Sequence, residues 1–217
     1  MSTQESIRKR QTLKLRVDPH NPLPVTKGKE FKSTMEELAE LAGLAPFHYQ
    51  SAVHHRNEKL KGAEPWRFHA LESKTCRDLL EAFNQDKPMK ASDGIKQMLA
   101  AADGLILATW LPEKSRSLSR KFHPNVKNME HIAATGAAIQ NLLLAATEEG
   151  IINYWSSGGC LRKPKVLEFL GIPKREILLG AIFFFPDEFP ETAETKTGKN
   201  RDAKGELKDY FDWIEEF

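Results

Sequence analysis

The sequence predicts a single α+β domain in which helices pack around a sheet. The chain has 217 residues, 40% of them hydrophobic, and this length suits one substantial core. Segments with helical periodicity alternate with strand-like segments along the chain. No strand-like segment leads into a GxGxxG or GxxxxGK(S/T) sequence, the phosphate loops of doubly wound parallel folds. The alternation therefore does not indicate one of those folds.

The N-terminal part, residues 1–32, is polar and basic and is expected to form a short helix and then an extended arm. Ser33-Thr34 is predicted to open a helix, because Glu36 and Glu37 follow the two candidate caps by three residues. Pro46 ends the helix, since the residue before a proline disfavours helical backbone.

Four strands and further helices are expected between residues 65 and 186. The predicted strands are 65–71, 104–110, 151–155 and 176–185, and the predicted helices lie around 79–83, from 92 to 102, over 129–149 and over 165–170. The helix over 129–149 is apolar nearly all round, which indicates a central helix that also reaches a subunit interface.

The C-terminal tail, residues 187–217, begins with a charged loop over 187–206. Its end is dense in aromatic residues, so we expect it to pack on the chain's own core or on a partner subunit. Trp66, Trp110 and Trp213 are expected in the core.

Composition excludes several classes of function. A net charge of +2 gives no support for a nucleic-acid partner. No apolar stretch approaches the roughly 18 residues of a membrane span, and the N-terminus lacks the apolar region of a secretory signal. Cys76 and Cys160 are expected to be reduced thiols of a cytoplasmic protein. The seven histidines show no metal-binding spacing, so no metal site is predicted.

Four segments are candidates for binding chemistry. Arg10, Thr12 and Lys14 of the basic cluster could grip a phosphate, and Lys199-Asn200-Arg201 could supply a second cationic pair. The junction formed by 45–48 and 64–68, and the glycine-rich turn over 155–159, could face a ligand. Taken singly, the two basic segments are better explained by a solvated basic tail and a surface charge run, and the other two segments do not stand out from ordinary connections.

Together these segments resemble the FMN-dependent nitroreductases. Arg10-Gln11-Thr12-Leu13-Lys14 is similar to their N-terminal Arg-x-Ser/Thr-x-Lys/Arg signature. Ala45-Pro46 and Glu64-Pro65-Trp66 resemble their next motif, with a longer stretch over 47–63 and Glu64 in place of glutamine. Residues 131–159 resemble the central helix and flavin loop, and Lys199 to Arg201 the late basic motif. The resemblance runs in order over nearly the whole chain.

The resemblance implies a set of site residues. The implied FMN contacts are Arg10, Gln11, Thr12, Lys14, His48, Trp155, Ser156, Ser157, Gly158, Lys199 and Arg201. Lys14 would also lie near the pyrimidine edge of the flavin ring. The chemistry belongs to the cofactor, so no protein residue is predicted to be catalytic.

The resemblance further implies a nitroreductase-like fold with a central mixed sheet flanked by helices, in a domain-exchanged homodimer. The implied activity is ping-pong transfer of hydride from NAD(P)H through FMN to a nitroaromatic, a quinone or another small oxidant. Two alternatives stay open. One is a specialised flavoenzyme of the same fold, such as a dehalogenase or a flavin-modifying enzyme. The other is a flavin-binding or interaction protein without turnover.

Overall fold

A computed structural model of the protein describes residues 2–25, 29–85, 89–113 and 122–215. The helices are α1 (Thr3–Lys9), α2 (Lys29–Gly43), α3 (Ser73–Gln85), α4 (Asp93–Ala101), α5 (Val126–Glu148) and α6 (Pro164–Phe169). The strands are β1 (Leu13–Arg16), β2 (Trp66–Glu72), β3 (Gly104–Trp110), β4 (Ile152–Ser156), β5 (Ile177–Phe185) and β6 (Glu194–Thr197).

Four strands form the central sheet in the order β2-β3-β5-β4, and every described pairing in it is antiparallel. The expectation of a mixed sheet is therefore corrected. Two helices, α3 and α4, connect the end of β2 to the start of β3. These two points lie at the same end of the sheet, so β3 runs antiparallel to β2. β3 and β4 do run in the same direction, but β5 lies between them and opposes both.

The central sheet is covered on both faces. One face packs against α3, α4 and α6 through residues such as Leu79, Leu99 and Phe183. The other packs against α2 and α5 through residues such as Leu38, Ile139 and Phe184. β3 is buried at every position, which agrees with the continuous apolar run seen in its sequence.

A second, two-stranded sheet joins β1 to β6 antiparallel, from Leu13 opposite Thr197 to Arg16 opposite Glu194. The sequence predicts a charged loop for residues 194–197, and this prediction is wrong. All four are exposed and polar, so they carry no hydrophobic alternation, and backbone pairing with β1 is what orders them. This sheet brings the N-terminal arm against the C-terminal tail.

The predicted helices and central strands are confirmed, most of them to within a few residues, but α2 begins at Lys29 rather than at Ser33-Thr34. Phe31 lies in its first turn, is buried, and meets Phe184 edge-on with ring centroids 6.3 Å apart. Burial of Phe31 extends the helix past the capping signal.

The C-terminal end is placed differently from the expectation. Trp66 and Trp110 are buried, as predicted, but Trp213 is 74% exposed and Ile214 is 81% exposed. Phe211 meets Trp213 edge-on at 5.2 Å, and the described residues of this aromatic end are exposed, whereas Phe189 and Ala193 at the start of the tail pack against the core.

None of the helices in the described part of the chain combines the length and apolar character that crossing a membrane requires. The cytoplasmic location and the absence of a nucleic-acid partner stay predictions.

Candidate functional site

A cavity of about 970 Å³ opens where the two ends of the chain meet beside β4. Its walls come from α1 and β1, from Gln140 on α5, from Tyr154 and Trp155 on β4, and from residues 197–204. Segments almost 190 residues apart in sequence thus form one site, because β1 and β6 pair. The volume lies within the range of protein pockets that hold whole cofactors.

The cavity is strongly cationic. Five of its described lining residues carry a positive charge and none is acidic; the five are Arg8, Arg10, Lys14, Arg201 and Lys204. Uncompensated cations in a concave site attract anions, and guanidinium and ammonium groups are the usual partners of phosphate. The charge pattern therefore favours a phosphorylated ligand.

Arg201 ties the C-terminal segment to the N-terminal helix. Its Nη1 donates to the carbonyl of Arg10 and its Nη2 to the carbonyl of Arg8, both at 2.9 Å. These carbonyls lie at the C-terminal end of α1, where helical carbonyls lack partners within the helix. Both acceptors are neutral, so the guanidinium keeps its full charge toward the cavity.

Thr12 and Gly198 bring the two segments into close contact. The backbone N–H of Gly198 donates to the carbonyl of Thr12 at 3.1 Å. A Cβ on Gly198 would lie 3.2 Å from Thr12 Cβ, so a side chain there would push the segments apart. Gln11 is exposed and also lines the cavity.

An aromatic wall faces these cations from β4. Lys14 Nζ lies 4.9 Å from the centroid of the Tyr154 ring, within the range of a cation–π contact. Trp155, the next residue, is half-buried and points to the other face of the sheet, where its indole lies against Gly180. Both aromatic residues line the cavity.

The loop after β4 lies next to Trp155 but does not line the cavity. Ser156 is buried and its Oγ accepts a hydrogen bond from the backbone N–H of Gly158 at 3.1 Å. Gly158 has φ +96, a left-handed conformation that favours glycine. Ser157 is exposed, and its carbonyl accepts a hydrogen bond from Arg162 Nε. Contact of these three residues with a cofactor stays a prediction.

His48 is also outside the cavity walls. Its side chain is 75% exposed and its Nδ1 lies 3.2 Å from Glu130 Oε2 on α5. Lys199 lies in a short 3-10 helix over Lys199–Arg201, and its side chain is outside the described residues.

Of the residues implied by resemblance, six line the cavity: Arg10, Gln11, Thr12, Lys14, Trp155 and Arg201. The resemblance does not imply the other lining residues, among them Arg8, Gln140, Tyr154, Thr197, Asn200 and Lys204. Two signals could have found some of them. Tyr154 adjoins Trp155 on a predicted strand, and Gln140 is a polar residue on a mostly apolar helix.

A second buried polar cluster lies away from the cavity. Glu176 Oε2 lies 2.7 Å from His69 Nε2 and accepts a hydrogen bond from Thr109 Oγ1 at 2.5 Å. Burial alone would raise the pKa of Glu176. The hydrogen bonds from His69 and Thr109 and the charges of His69 and Arg67 outweigh burial, so this pKa is lowered.

Arg67 links this cluster to the long stretch over 47–63. Its Nη1 donates to the carbonyls of Trp66 and Glu64, and its Nη2 donates to the carbonyl of Gly62 at 2.8 Å. The cluster therefore fixes this stretch to the sheet, which is a structural role.

Neither cysteine has the environment of a reactive thiol. Both are buried and free, and burial raises the pKa of Cys76 to about 12 and also raises the pKa of Cys160. Within the described ranges, no group of three His, Cys, Asp or Glu side chains is placed to hold a metal ion.

Comparisons with known proteins agree on the family. The family model described as Nitroreductase family matches residues 31–184. A protein of Bacillus subtilis (strain 168) named "Putative NAD(P)H nitroreductase YfhC" is 26% identical over 174 residues, which cover 76% of this chain and 79% of YfhC.

Solved structures share the fold. The nitroreductase-like family protein from Bacillus cereus has a TM-score of 0.65 at 21% identity, covering 100% of this chain and 97% of its own. The FMN and NADPH-dependent nitroreductase NfnB from Sphigopyxis sp. strain HMH has a TM-score of 0.57 at 14% identity, covering 98% of this chain and 99% of the NfnB chain. The predicted nitroreductase-like α+β fold is confirmed.

Proposed function

Because the chain belongs to the nitroreductase family, we propose that it is an FMN-dependent oxidoreductase that takes hydride from NAD(P)H and reduces small oxidants such as nitroaromatics or quinones. The observation that carries this proposal is the cavity itself, which has five cations, no acidic residue among its described walls, and an aromatic side. The names of the relatives agree with it: YfhC is named for NAD(P)H, and NfnB for FMN and NADPH.

The residues present fit FMN. Its phosphate requires cations, and Arg10 and Arg201 lie where the two chain ends meet. Its ribityl chain requires neutral hydrogen-bonding groups, and Gln11, Thr12 and Asn200 supply them in the same cavity. Its ring requires apolar surface with a few polar groups, and Tyr154 and Trp155 of β4 both contribute aromatic surface to the cavity.

The chain's own residues bind the cofactor and orient it. We assign the phosphate to Arg10 and Arg201, and Lys14 to the polar edge of the ring, where a cation stabilises negative charge. The contact with Tyr154 holds the Lys14 ammonium at a defined place in the cavity. When bound, FMN supplies the redox chemistry that moves hydride from NAD(P)H to the oxidant. No side chain is required as an acid or a base.

The proposal includes a homodimer. Large apolar side chains are exposed just after α2, at the start of α5 and on the C-terminal tail, for example Leu44 at 76%, Met129 at 56% and Trp213 at 74%. Exposed apolar surface of this extent favours association with another protein surface. A second copy of the chain is the partner that the family resemblance implies.

The first alternative is a specialised flavoenzyme of the same fold, which would place substrate-specific groups on the stretch over 47–63. The second is a flavin-binding protein without turnover, which would take up FMN but would not oxidise NAD(P)H. Measuring flavin reduction separates the second alternative from the main proposal.

The proposal is tested by titrating the apoprotein with FMN and following flavin fluorescence. We expect Arg10→Ala to weaken FMN binding by about tenfold to a hundredfold, since a charge-assisted contact contributes about 1.5–3 kcal/mol. Lys165→Ala, an exposed cation on α6 outside the cavity, is the control and should leave FMN binding unchanged. Equal FMN affinity in both variants would refute the assignment of this cavity.

A further inference from the structure

Two cations of the cavity are not used by the proposed FMN contacts. We propose that Arg8 and Lys204 bind the 2′-phosphate of NADPH, so that the enzyme prefers NADPH to NADH. This inference rests on the proposed function, since it concerns the reductant that reaches the same cavity.

The first support is the amount of charge. The described walls of the cavity carry five positive charges and no negative one. A phosphate monoester carries about two negative charges near pH 7. Arg10 and Arg201 therefore suffice for the FMN phosphate, and Lys14 is held against Tyr154. Arg8 and Lys204 remain as two positive charges, which match a second phosphate monoester.

The second support is where these two cations lie. Arg201 donates to the carbonyl of Arg8, so the last turn of α1 and the short 3-10 helix over Lys199–Arg201 are in contact. Lys204 follows Arg201 by three residues and lines the same cavity. Arg8 and Lys204 thus belong to one rim, built from both ends of the chain.

The third support is exposure. Arg10 and Lys14 are half-buried, and Arg201 is exposed but held by its hydrogen bonds to the carbonyls of Arg8 and Arg10, whereas the side chains of Arg8 and Lys204 are exposed without such a restraint. Neither the Arg8 nor the Lys204 side chain hydrogen-bonds or pairs with an acid among the described residues. Exposed, unneutralised cations at the mouth of a cavity suit a ligand that binds and leaves in each turnover, as the reductant does.

NADH and NADPH differ only in the 2′-phosphate. Both carry the pyrophosphate and the nicotinamide, so contacts to those groups cannot select between them. A rim that discriminates must recognise a phosphate monoester, and an arginine together with a lysine has the required charge and donors. Because the two cations are exposed, salt will screen the selectivity.

The test compares kcat/KM for NADPH with kcat/KM for NADH in the FMN-loaded enzyme. We expect the NADPH-to-NADH ratio to exceed one and to fall about threefold to tenfold in Arg8→Gln and in Lys204→Gln. Lys9→Gln and Lys208→Gln remove the same charge nearby without touching the cavity walls, and they should leave the ratio unchanged.

A binding measurement accompanies the kinetics. Adenosine 2′,5′-bisphosphate and adenosine 5′-monophosphate differ only in the 2′-phosphate, and calorimetry measures their affinities for the FMN-loaded enzyme. The bisphosphate should bind more tightly, and this advantage should shrink in Arg8→Gln and Lys204→Gln and in high salt.

An unchanged ratio and an unchanged bisphosphate advantage in both rim variants would overturn this inference, even in an enzyme that NADH and NADPH both reduce. A wild-type preference for NADH would overturn it as well. A protein that fails to bind FMN, or whose FMN neither nucleotide reduces, would instead refute the proposed function, so the two failures are distinguishable.

Discussion

Gly180 on β5 determines where Trp155 lies, and replacing it by alanine tests how the cavity wall is built. Trp155 pairs with Ile182 across the strands, so Gly180 is its diagonal neighbour on the same face of the sheet. A Cβ on Gly180 would lie 2.1 Å from Trp155 Nε1, 2.8 Å from Cδ1 and 3.0 Å from Cε2. Ordinary contact begins at 3.4 Å, so the indole must withdraw by roughly 1.3 Å.

The sign of the effect on stability is diagnostic. Glycine inside a strand costs about 0.5–1 kcal/mol relative to alanine, so an unhindered Gly180→Ala would stabilise the protein. Overpacking a filled site costs about 1–3 kcal/mol. We therefore expect Gly180→Ala to lower the free energy of unfolding by about 1–2 kcal/mol. Because the displaced indole lines the cavity, FMN binding should weaken about tenfold, which corresponds to about 1.4 kcal/mol.

Urea unfolding of the apoprotein measures the first quantity and FMN fluorescence titration the second. Gly43→Ala is the matched control, since a Cβ there has no atom within 4 Å and the residue is exposed at the end of α2. It should be neutral or stabilising, with FMN affinity unchanged. Adding Trp155→Phe to Gly180→Ala should recover part of the lost stability, because the smaller ring leaves room for the new methyl group.

A Gly180→Ala protein that is as stable as the wild type and binds FMN equally well would refute this account of the cavity wall. Loss of stability that Trp155→Phe does not relieve would show that the strain arises elsewhere.

Other contacts give predictions of defined sign. Tyr154→Leu should weaken FMN binding about threefold, because it removes the ring that Lys14 contacts and a cation–π contact contributes about 0.5–1 kcal/mol. Tyr154→Phe keeps the ring and should not weaken FMN binding. Equal loss of affinity in both variants would contradict this role. Glu176→Gln should cost about 3 kcal/mol of unfolding free energy at pH 7, whereas Glu168→Gln, in an exposed pair, should cost under about 1 kcal/mol. The folded pKa of Glu176 is lowered, so the stability that Glu176 contributes is present above the unfolded pKa of 4.5 and is lost as the pH falls below it. In urea titrations, a difference in stability between the wild type and Glu176→Gln that stays constant down to pH 3 would contradict this.

Hydrophobic periodicity predicted the elements that are buried. β3 was predicted with the bounds that the structure shows, because all seven of its residues are buried and the run ends before Pro112. The long helix was predicted close to α5 for a similar reason, since a helix between the sheet and a further surface is apolar on several sides.

The missed elements are those that backbone pairing orders without burial. β6 is exposed at all four positions, so nothing in its sequence distinguishes it from a charged loop. Its partner β1 buries only Leu15 fully. The two strands stabilise each other although they lie near opposite ends of the sequence, and a local sequence pattern does not encode such a long-range pairing.

The candidate site shows the same difference between residues that a sequence motif reveals and residues that only long-range contacts bring together. Arg10, Lys14 and Arg201 were selected through a family motif, and the structure brings all three to one cavity. Arg8 and Lys204 lie outside the motif, and only the contact between the chain ends reveals them. A helix terminus and a turn are brought together by two hydrogen bonds from one arginine side chain, which the sequence alone does not predict.

The most direct test of the central claim is the visible absorption spectrum of the purified protein loaded with FMN, recorded before and after NADPH is added under nitrogen. We predict a yellow protein that retains the flavin through gel filtration, bleaches with NADPH, and regains its colour when a quinone is added. A protein that stays colourless after incubation with FMN would contradict the assignment of the cavity, and a yellow protein that neither NADPH nor NADH bleaches would contradict the proposed activity.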